Sequence, residues 1–319
     1  MKTIDLCYNE YGDNMLFLGI DGGGTKTKVI IIDGQKTILY EGVSGPSSLD
    51  TVDEKTTLAH INEALASFID HDPTATFTSV FAGLGGVASL DDKMRLYQLL
   101  ALVKGVDKHT KRYAGSDMEN ALASGLYFDE GITLISGTGM VAYGKNKSGI
   151  THKAGGLGFK EGDLGSSYDL GLNAIRAAAR ALDHRYEATA FTDEIIEKLN
   201  VSKPSDIITL MNNWYLERTK IASLAPIVTK HANMGNDYAK RICDSSSYEL
   251  ALSIKAVQQV IQLKQPKLVV VGSLGNALGY FKDQFQKTLL DMVPNIEISA
   301  PKVDPAYAAA LLALMHYTA

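Results

Sequence analysis

At 319 residues the chain can bury two cores, and the ordinary size of a domain favours two domains over one. A formal charge of -5 and a pI near 5.8 leave no basic footprint for nucleic acid, and two cysteines, Cys7 and Cys243, are too few for a disulfide scaffold or a cysteine zinc site. The opening "MKTIDLCYNEYGDN" places acids and Asn where a secretory signal needs an apolar core, and no apolar run reaches membrane-spanning length. A cytoplasmic protein with no membrane partner is expected.

Apolar periodicity predicts strands at Leu16 to Ile20, Lys28 to Ile32 and Thr37 to Gly42. A helix follows over Val52 to Ile69, with Leu58, Ile61, Leu65 and Phe68 on one face. A strand at Phe77 to Ala82, a helix over Asp91 to Val103, a strand at Lys111 to Ala114 and a helix from Met118 complete a first half. Three more strands, Ile132 to Ser136, Val141 to Gly144 and Ile150 to Lys153, open a second. Helices from Ser167 lead to the strand "KLVVVG", Lys267 to Gly272, then a helix over Ala277 to Met292, a strand at Ile296 to Ser299 and a last helix from Pro305. Each half reads βββαβαβα, and duplication is the simplest account.

The expected domains are therefore residues 1–128 and 129–319, packed on a shared cleft, the second carrying a helical insert over about residues 172–264. The last helix, 305–318, "PAYAAALLALMHYT", has residues small enough to pack closely and is a candidate to cross back onto the first domain.

The stretch "FLGIDGGGTKTKVIIID", Phe17 to Asp33, runs an apolar strand into an acid, three glycines and Thr-Lys-Thr, then into a second β-branched run. A P-loop needs Gly directly before Lys-Ser/Thr and then a helix, whereas Thr25 precedes Lys26 here and strand follows. A dinucleotide-binding turn also opens a helix, so it is excluded on the same ground. What remains is a β-hairpin whose tip offers backbone N–H groups and the Thr25 and Thr27 hydroxyls to a phosphate chain, with Asp21 facing the accompanying metal. A plain tight hairpin stays open beside it, although it needs no acid at its mouth.

Four stretches carry a resemblance. "DGGGTKT", Asp21 to Thr27, and "LISGTGM", Leu134 to Met140, resemble the two phosphate motifs of the actin-like ATPase superfamily of sugar kinases and chaperones. "VVVGSLGNA", Val269 to Ala277, resembles its adenosine motif. "GGLGFKEGDLGSSYDLG", Gly155 to Gly171, resembles the signature of one branch, that of N-acetylglucosamine kinase and the BadF/BadG-type ATPases.

The resemblance implies an α/β fold of two actin-like, ribonuclease H-like domains, ATP with Mg2+, and transfer of the γ-phosphoryl group to the 6-hydroxyl of an amino sugar such as N-acetylglucosamine. It also implies a homodimer. On this reading Asp21, Gly22, Gly23, Gly24, Thr25 and Lys26, with Gly137, Thr138 and Gly139, hold the phosphates and, through Asp21, the metal. Gly272, Ser273 and Gly275 take the adenosine, and Asp117 in "AGSDMENAL" is the catalytic base, with capping of the helix that it opens as its alternative role. The sugar pocket is lined by "GPSSL" with Ser48, by "AGLGG", and by Gly156, Leu157, Gly158, Phe159 and Asp163, with Asp117 contacting the sugar as well.

Three positions depart from the pattern: Ser48 stands where Asn is usual, Met140 where Ser is common, and Leu164 where "GDEGS" has Glu. The seven histidines show no metal-ligand spacing, and "LERTK" reads as a solvated helix face. Two other classes remain open, an iron–sulfur ATPase activator of a dehydratase and a non-catalytic sugar sensor.

Overall fold

The computed structural model describes residues 15–126, 130–160, 162–214 and 216–318. Cys7 and residues 127–129, within which the expected domain boundary falls, lie outside them. The chain divides into two compact units, one formed by residues 1–128 with 301–319 and the other by residues 129–300. Among the described residues no helix is long and apolar enough to cross a membrane.

In the first unit, β1 (Phe17–Gly22), β2 (Thr27–Ile32) and β3 (Ile38–Ser44) lead to α1 (Glu54–Ala64), α2 (Ala66–His71), β4 (Ser79–Leu84), α3 (Leu90–Leu100), β5 (Lys111–Ser116) and α4 (Asp117–Leu126). The second unit holds β6 (Gly131–Ser136), β7 (Met140–Lys145), β8 (Thr151–Gly155), α5 (Ser167–Leu182), α6 (Ala190–Leu199), α7 (Pro204–Trp214), α8 (Arg218–Ala222), α9 (Ala225–Asn233), α10 (Asp237–Ile261), β9 (Lys267–Val271), α11 (Tyr280–Met292) and β10 (Glu297–Ser299). The final helix, α12 (Pro305–Thr318), returns to the first unit.

The first sheet has the order β3-β2-β1-β4-β5, with β1 antiparallel to β2 and parallel to β4. Alternation along its buried central strands sorts the side chains between two cores. Leu18, Ile20, Val29, Ile31, Val80 and Leu84 pack with Ile61, Leu65, Leu96 and Leu100, whereas Phe17, Ile30, Ile32 and Phe81 pack with Ala306, Ala309, Ala310 and Ala313 of α12.

Residues 301–319 therefore belong with the first unit rather than ending the second, and Gly19 shows why. A Cβ added there would collide with the Ala306 carbonyl and the Ala310 amide, so only a bare backbone lets α12 lie this close to β1. Ser79 Oγ donates to the Ala313 carbonyl at 2.9 Å, and Lys28 pairs with Asp304 at 3.0 Å.

Two helix expectations change. The helix expected over Val52 to Ile69 is interrupted at Leu65 because Tyr40 Oη donates to the Ala64 carbonyl at 2.8 Å, and the Phe68 amide turns to the Leu65 carbonyl instead. The helix expected from Ala277 starts at Tyr280: Gly279 sits at φ +80°, and the Tyr280 amide donates to Asn233 Oδ1 at 2.7 Å.

The second sheet, β10-β9-β6-β7-β8, repeats the same scheme, with β6 parallel to β9 and antiparallel to β7. The helical region between β8 and β9 runs from Ser167 to Ile261, close to the expected insert. Ile254, Val257 and Ile261 of α10 and Ala174 and Ala178 of α5 bury the sheet residues Leu134, Ala142 and Leu268.

The Gly19 contact yields a stability prediction. Gly19→Ala should cost about 1–3 kcal/mol in urea unfolding, the usual price of overpacking. An unchanged midpoint would mean that α12 does not rest on β1 in solution.

Candidate active site

The C-terminal ends of the parallel strands β1, β4 and β5 lie side by side, with Asp21 paired to Gly83 and Gly83 to Gly115. In open α/β sheets ligands bind at this edge. The glycine turn closes with the Gly23 amide donating to the Lys26 carbonyl at 3.0 Å, and Gly24, Thr25 and Lys26 are exposed. A Cβ at Gly22 would collide with Ser47 Oγ, which requires glycine there. Backbone bonds tie the neighbouring loops to the turn: the Ser47 and Ser48 amides donate to the Gly23 carbonyl, Gly85 to Gly22, and Leu49 to Gly85.

Asp117 opens α4 immediately after β5 and is half-buried. Its neighbour Glu119 accepts from the Ser116 amide at 3.4 Å and pairs with Lys93 at 2.8 Å, so the start of α4 is capped by Glu119 together with Asp117, whose carboxyl accepts from the Met118 amide. One turn further along α4, Asn120 is fully buried; its Nδ2 donates to Asp21 Oδ1 at 2.8 Å and to the Gly83 carbonyl at 3.1 Å. Desolvation, partly offset by the Asn120 hydrogen bond, raises Asp21 to about 6. Asp117 rises to about 7, first through desolvation and then through the charges of Asp21 and Asp50, against the pull of the Met118 backbone amide.

Ser48 is 3% exposed, and its hydroxyl donates to Asp50. A Cβ on Gly85 would collide with Ser48 Oγ and sit 3.5 Å from Asp117 Oδ2, which places Ser48 beside Asp117. Asn120 and Asp50 were missed in the sequence. Asp50 follows "GPSSL" by one residue, and Asn120 lies at i+3 from Asp117 on the same helix face, a spacing that could have flagged it. The Thr27 hydroxyl, expected at the phosphates, is instead fully buried and donates to the Gly45 carbonyl at 2.6 Å.

In the second unit, Gly137, Thr138 and Gly139 form the β6–β7 turn, closed by the Gly137 amide on the Gly139 carbonyl at 2.9 Å. The first turn of α5 fixes it, with the Ser167 and Tyr168 amides donating to the Gly137 and Thr138 carbonyls. A Cβ at Gly139 would collide with the Arg218 guanidinium, which lies against this turn. Arg218 Nη2 pairs with Asp163 Oδ2 at 2.9 Å, and its buried Nε has no partner among the described residues.

"LERTK" is thus not wholly a solvated face: Arg218 in it is the missed cation of this turn, invisible because its partner is 55 residues away. Phe159 lies beneath Arg218 at 5.9 Å and against Tyr168 at 5.0 Å, while Gly156, Leu157 and Gly158 are exposed.

Met140 is a core residue at 3% exposure, whereas Leu164 is 48% exposed. The glycines expected at the adenosine have a structural reason of their own. Gly272, at φ +97°, and Gly275 press against Ser136, whose carbonyl accepts from the Leu274 and Gly275 amides; Ser273 is exposed beside them. Cys243 is buried in α10, and burial pushes its thiol up to about 12.

A structure from Chromobacterium violaceum assigned as an N-acetylglucosamine kinase matches with a TM-score of 0.74 at 21% identity, covering 93% of this chain and 98% of its own. A ROK family glucokinase from Streptomyces griseus, solved with glucose and AMPPNP, matches with a TM-score of 0.58 at 13% identity, covering 94% and 99%. The fold is the α/β fold of the actin-like sugar kinases, with two five-stranded mixed sheets.

Within that class, the chain belongs to the BadF/BadG/BcrA/BcrD ATPase family, which it matches over residues 18–313. An N-acetylmuramic acid/N-acetylglucosamine kinase of Clostridium acetobutylicum is 31% identical over 300 residues, 93% of this chain and 97% of the relative. An N-acetyl-D-glucosamine kinase of Dictyostelium discoideum is 31% identical over 317 residues, 94% and 98% of the two chains.

The raised carboxyls make stability fall with pH. Between the ordinary Asp value of 3.8 and about 7, folded Asp117 keeps a proton that the unfolded chain has released, so folding takes up protons there. The ligand-free protein should lose stability as pH rises through that window. Asp117→Asn should flatten the loss and melt higher than the parent at pH 8; a lower melting temperature at both pH 5 and pH 8 would return Asp117 to a structural role.

Proposed function

We propose that this protein is an ATP-dependent kinase that phosphorylates the 6-hydroxyl of an amino sugar, with N-acetylglucosamine as the first candidate and Asp117 as the base. The observation that carries the reading is Asp117 itself, a half-buried carboxyl brought to about 7 at the C-terminal edge of the first sheet. Family membership supports ATP as the donor, and the names of the two relatives support the acceptor class.

In this reading the acceptor oxygen forms its bond to the γ-phosphorus as its proton passes to the Asp117 carboxylate, and the bond from that phosphorus to the β-phosphate oxygen breaks to release ADP. Asn120 holds Asp21 in place. Asp21 suits Mg2+, which takes one or two hard carboxylate oxygens and keeps the rest of its sphere for phosphate and water. When bound, the ion would neutralise phosphate charge.

Backbone amides at Gly22, Gly23 and Gly24, with Thr25 and Lys26, take phosphate oxygens, as do Gly137, Thr138 and Gly139. Arg218 adds a cation beside Gly139, held by Asp163. Gly272, Ser273 and Gly275 are assigned to the adenosine, and Ser48 of the first unit with Gly156, Leu157, Gly158, Phe159 and Asp163 of the second are assigned as sugar contacts. Ser48 reaches a sugar less directly than an Asn would, because its hydroxyl is committed to Asp50, so acceptor discrimination is the property most open to change. A homodimer and a cytoplasmic setting belong to the same proposal, and sedimentation velocity tests the first.

A coupled ADP assay over N-acetylglucosamine, N-acetylmuramic acid, N-acetylmannosamine, glucosamine and glucose should give the highest kcat/KM for N-acetylglucosamine. Because the base must be ionised, kcat/KM should rise with pH to a plateau, with a midpoint near 7. Asp117→Asn should lower turnover about 100- to 10,000-fold while the protein stays folded. A variant with most of its turnover intact would remove Asp117 as the base.

A further inference from the structure

The second unit holds a cavity of about 320 Å³ that none of these roles uses, and among its lining residues are three arginines and no acid. Arg176 and Arg180 stand one turn apart on α5, and Arg241 approaches from α10. Between them, the rings of Tyr186 and Tyr238 stack at 4.4 Å and 7°. Arg180 Nη1 donates to Tyr186 Oη at 2.7 Å, the Tyr186 amide returns to the Arg180 carbonyl at 2.9 Å, and Arg241 lies 5.4 Å from the Tyr238 ring.

Among the described residues none of the three arginines forms an ion pair with a carboxylate. Nearby acids are engaged elsewhere: Asp183 by Arg185, Asp244 by the Tyr280 hydroxyl, and Asp169, which feels the Arg176 charge, by Asn173 and the Gly165 amide. In a chain of net charge -5, three convergent guanidiniums with no lining counter-charge are a local excess of cation.

We infer that this cavity is a binding site for a phosphoryl dianion, taken as a phosphate ester of a small molecule or as free phosphate. Guanidinium forks match phosphate oxygens two at a time, and the stacked tyrosines fix the arginine stems at low entropic cost. The volume lies at the lower end of the roughly 300–1,000 Å³ of small-molecule sites, enough for a sugar phosphate. The site is separate from the phosphate turn of the same unit. Ser167 at the start of α5 receives that turn, and Arg176 lies about 14 Å further along the helix.

Calorimetric titration of the intact protein with glucose 6-phosphate, with inorganic phosphate and with chloride at matched ionic strength tests the assignment. Saturable binding of one phosphoryl ligand is predicted, with none for chloride; a tighter ester identifies the ester as the ligand, and equal affinities identify free phosphate. Arg176→Gln with Arg241→Gln should weaken binding about 10-fold or more while sugar-dependent ADP formation is unchanged. Should that pair unfold, Arg176→Gln alone should show the same direction of loss. Asp117→Asn should bind as the parent does, which separates this site from the kinase reading. Binding that survives the arginine substitutions, or that disappears in Asp117→Asn, would overturn the assignment.

Discussion

Two carboxyls of like charge, Asp21 and Asp117, are held within electrostatic reach of each other at the end of a parallel sheet, and the first unit is organised around keeping them there. Desolvation raises both by more than their hydrogen bonds lower them, and like charges add to it, Asp304 at Asp21 and Asp21 with Asp50 at Asp117. Such a pair persists only where the backbone over-determines it. Here that is achieved by α4, which presents Asp117 in its first turn and, one turn later, sends Asn120 under Asp21 and onto the Gly83 carbonyl. An arrangement that is costly empty is suited to a ligand that brings positive charge to the carboxyls.

The support reaches outward from that edge. Bare backbone at Gly19 admits α12, and bare backbone at Gly22 and Gly85 lets the Ser47–Leu49 loop close on the turn. The second unit uses the same device with a different charge. Its Gly139 leaves room for Arg218, and Asp163 fixes the guanidinium against a turn made of amides. One glycine turn thus carries a carboxyl and the other a guanidinium.

Much of this was legible in the sequence, and for stated reasons. Continuous apolar, β-branched runs marked the strands, and "DGGGTKT" and "LISGTGM" marked the turns because glycine, acid and hydroxyl residues rarely combine there without cause. What stayed hidden depended on distance along the chain. Arg218 meets Asp163 across 55 residues, and Tyr40 interrupts a helix 24 residues away by taking its carbonyl. Thr27 looked like a phosphate ligand because its neighbours do, yet strand alternation turns its hydroxyl inward to Gly45. The arginines around the α5–α10 cavity are equally unreadable in sequence, since two helices far apart in the chain supply them.

The central claim is that Asp117 is a carboxyl poised near neutrality by burial and by Asp21. Carbon-13 NMR titration of the aspartate carboxyls in the ligand-free protein tests it directly, with Asp117→Asn used to assign the resonance. The account predicts a midpoint near 7, moving down when Asp21→Asn removes the like charge. A midpoint near the ordinary 3.8, unmoved by Asp21→Asn, would contradict it.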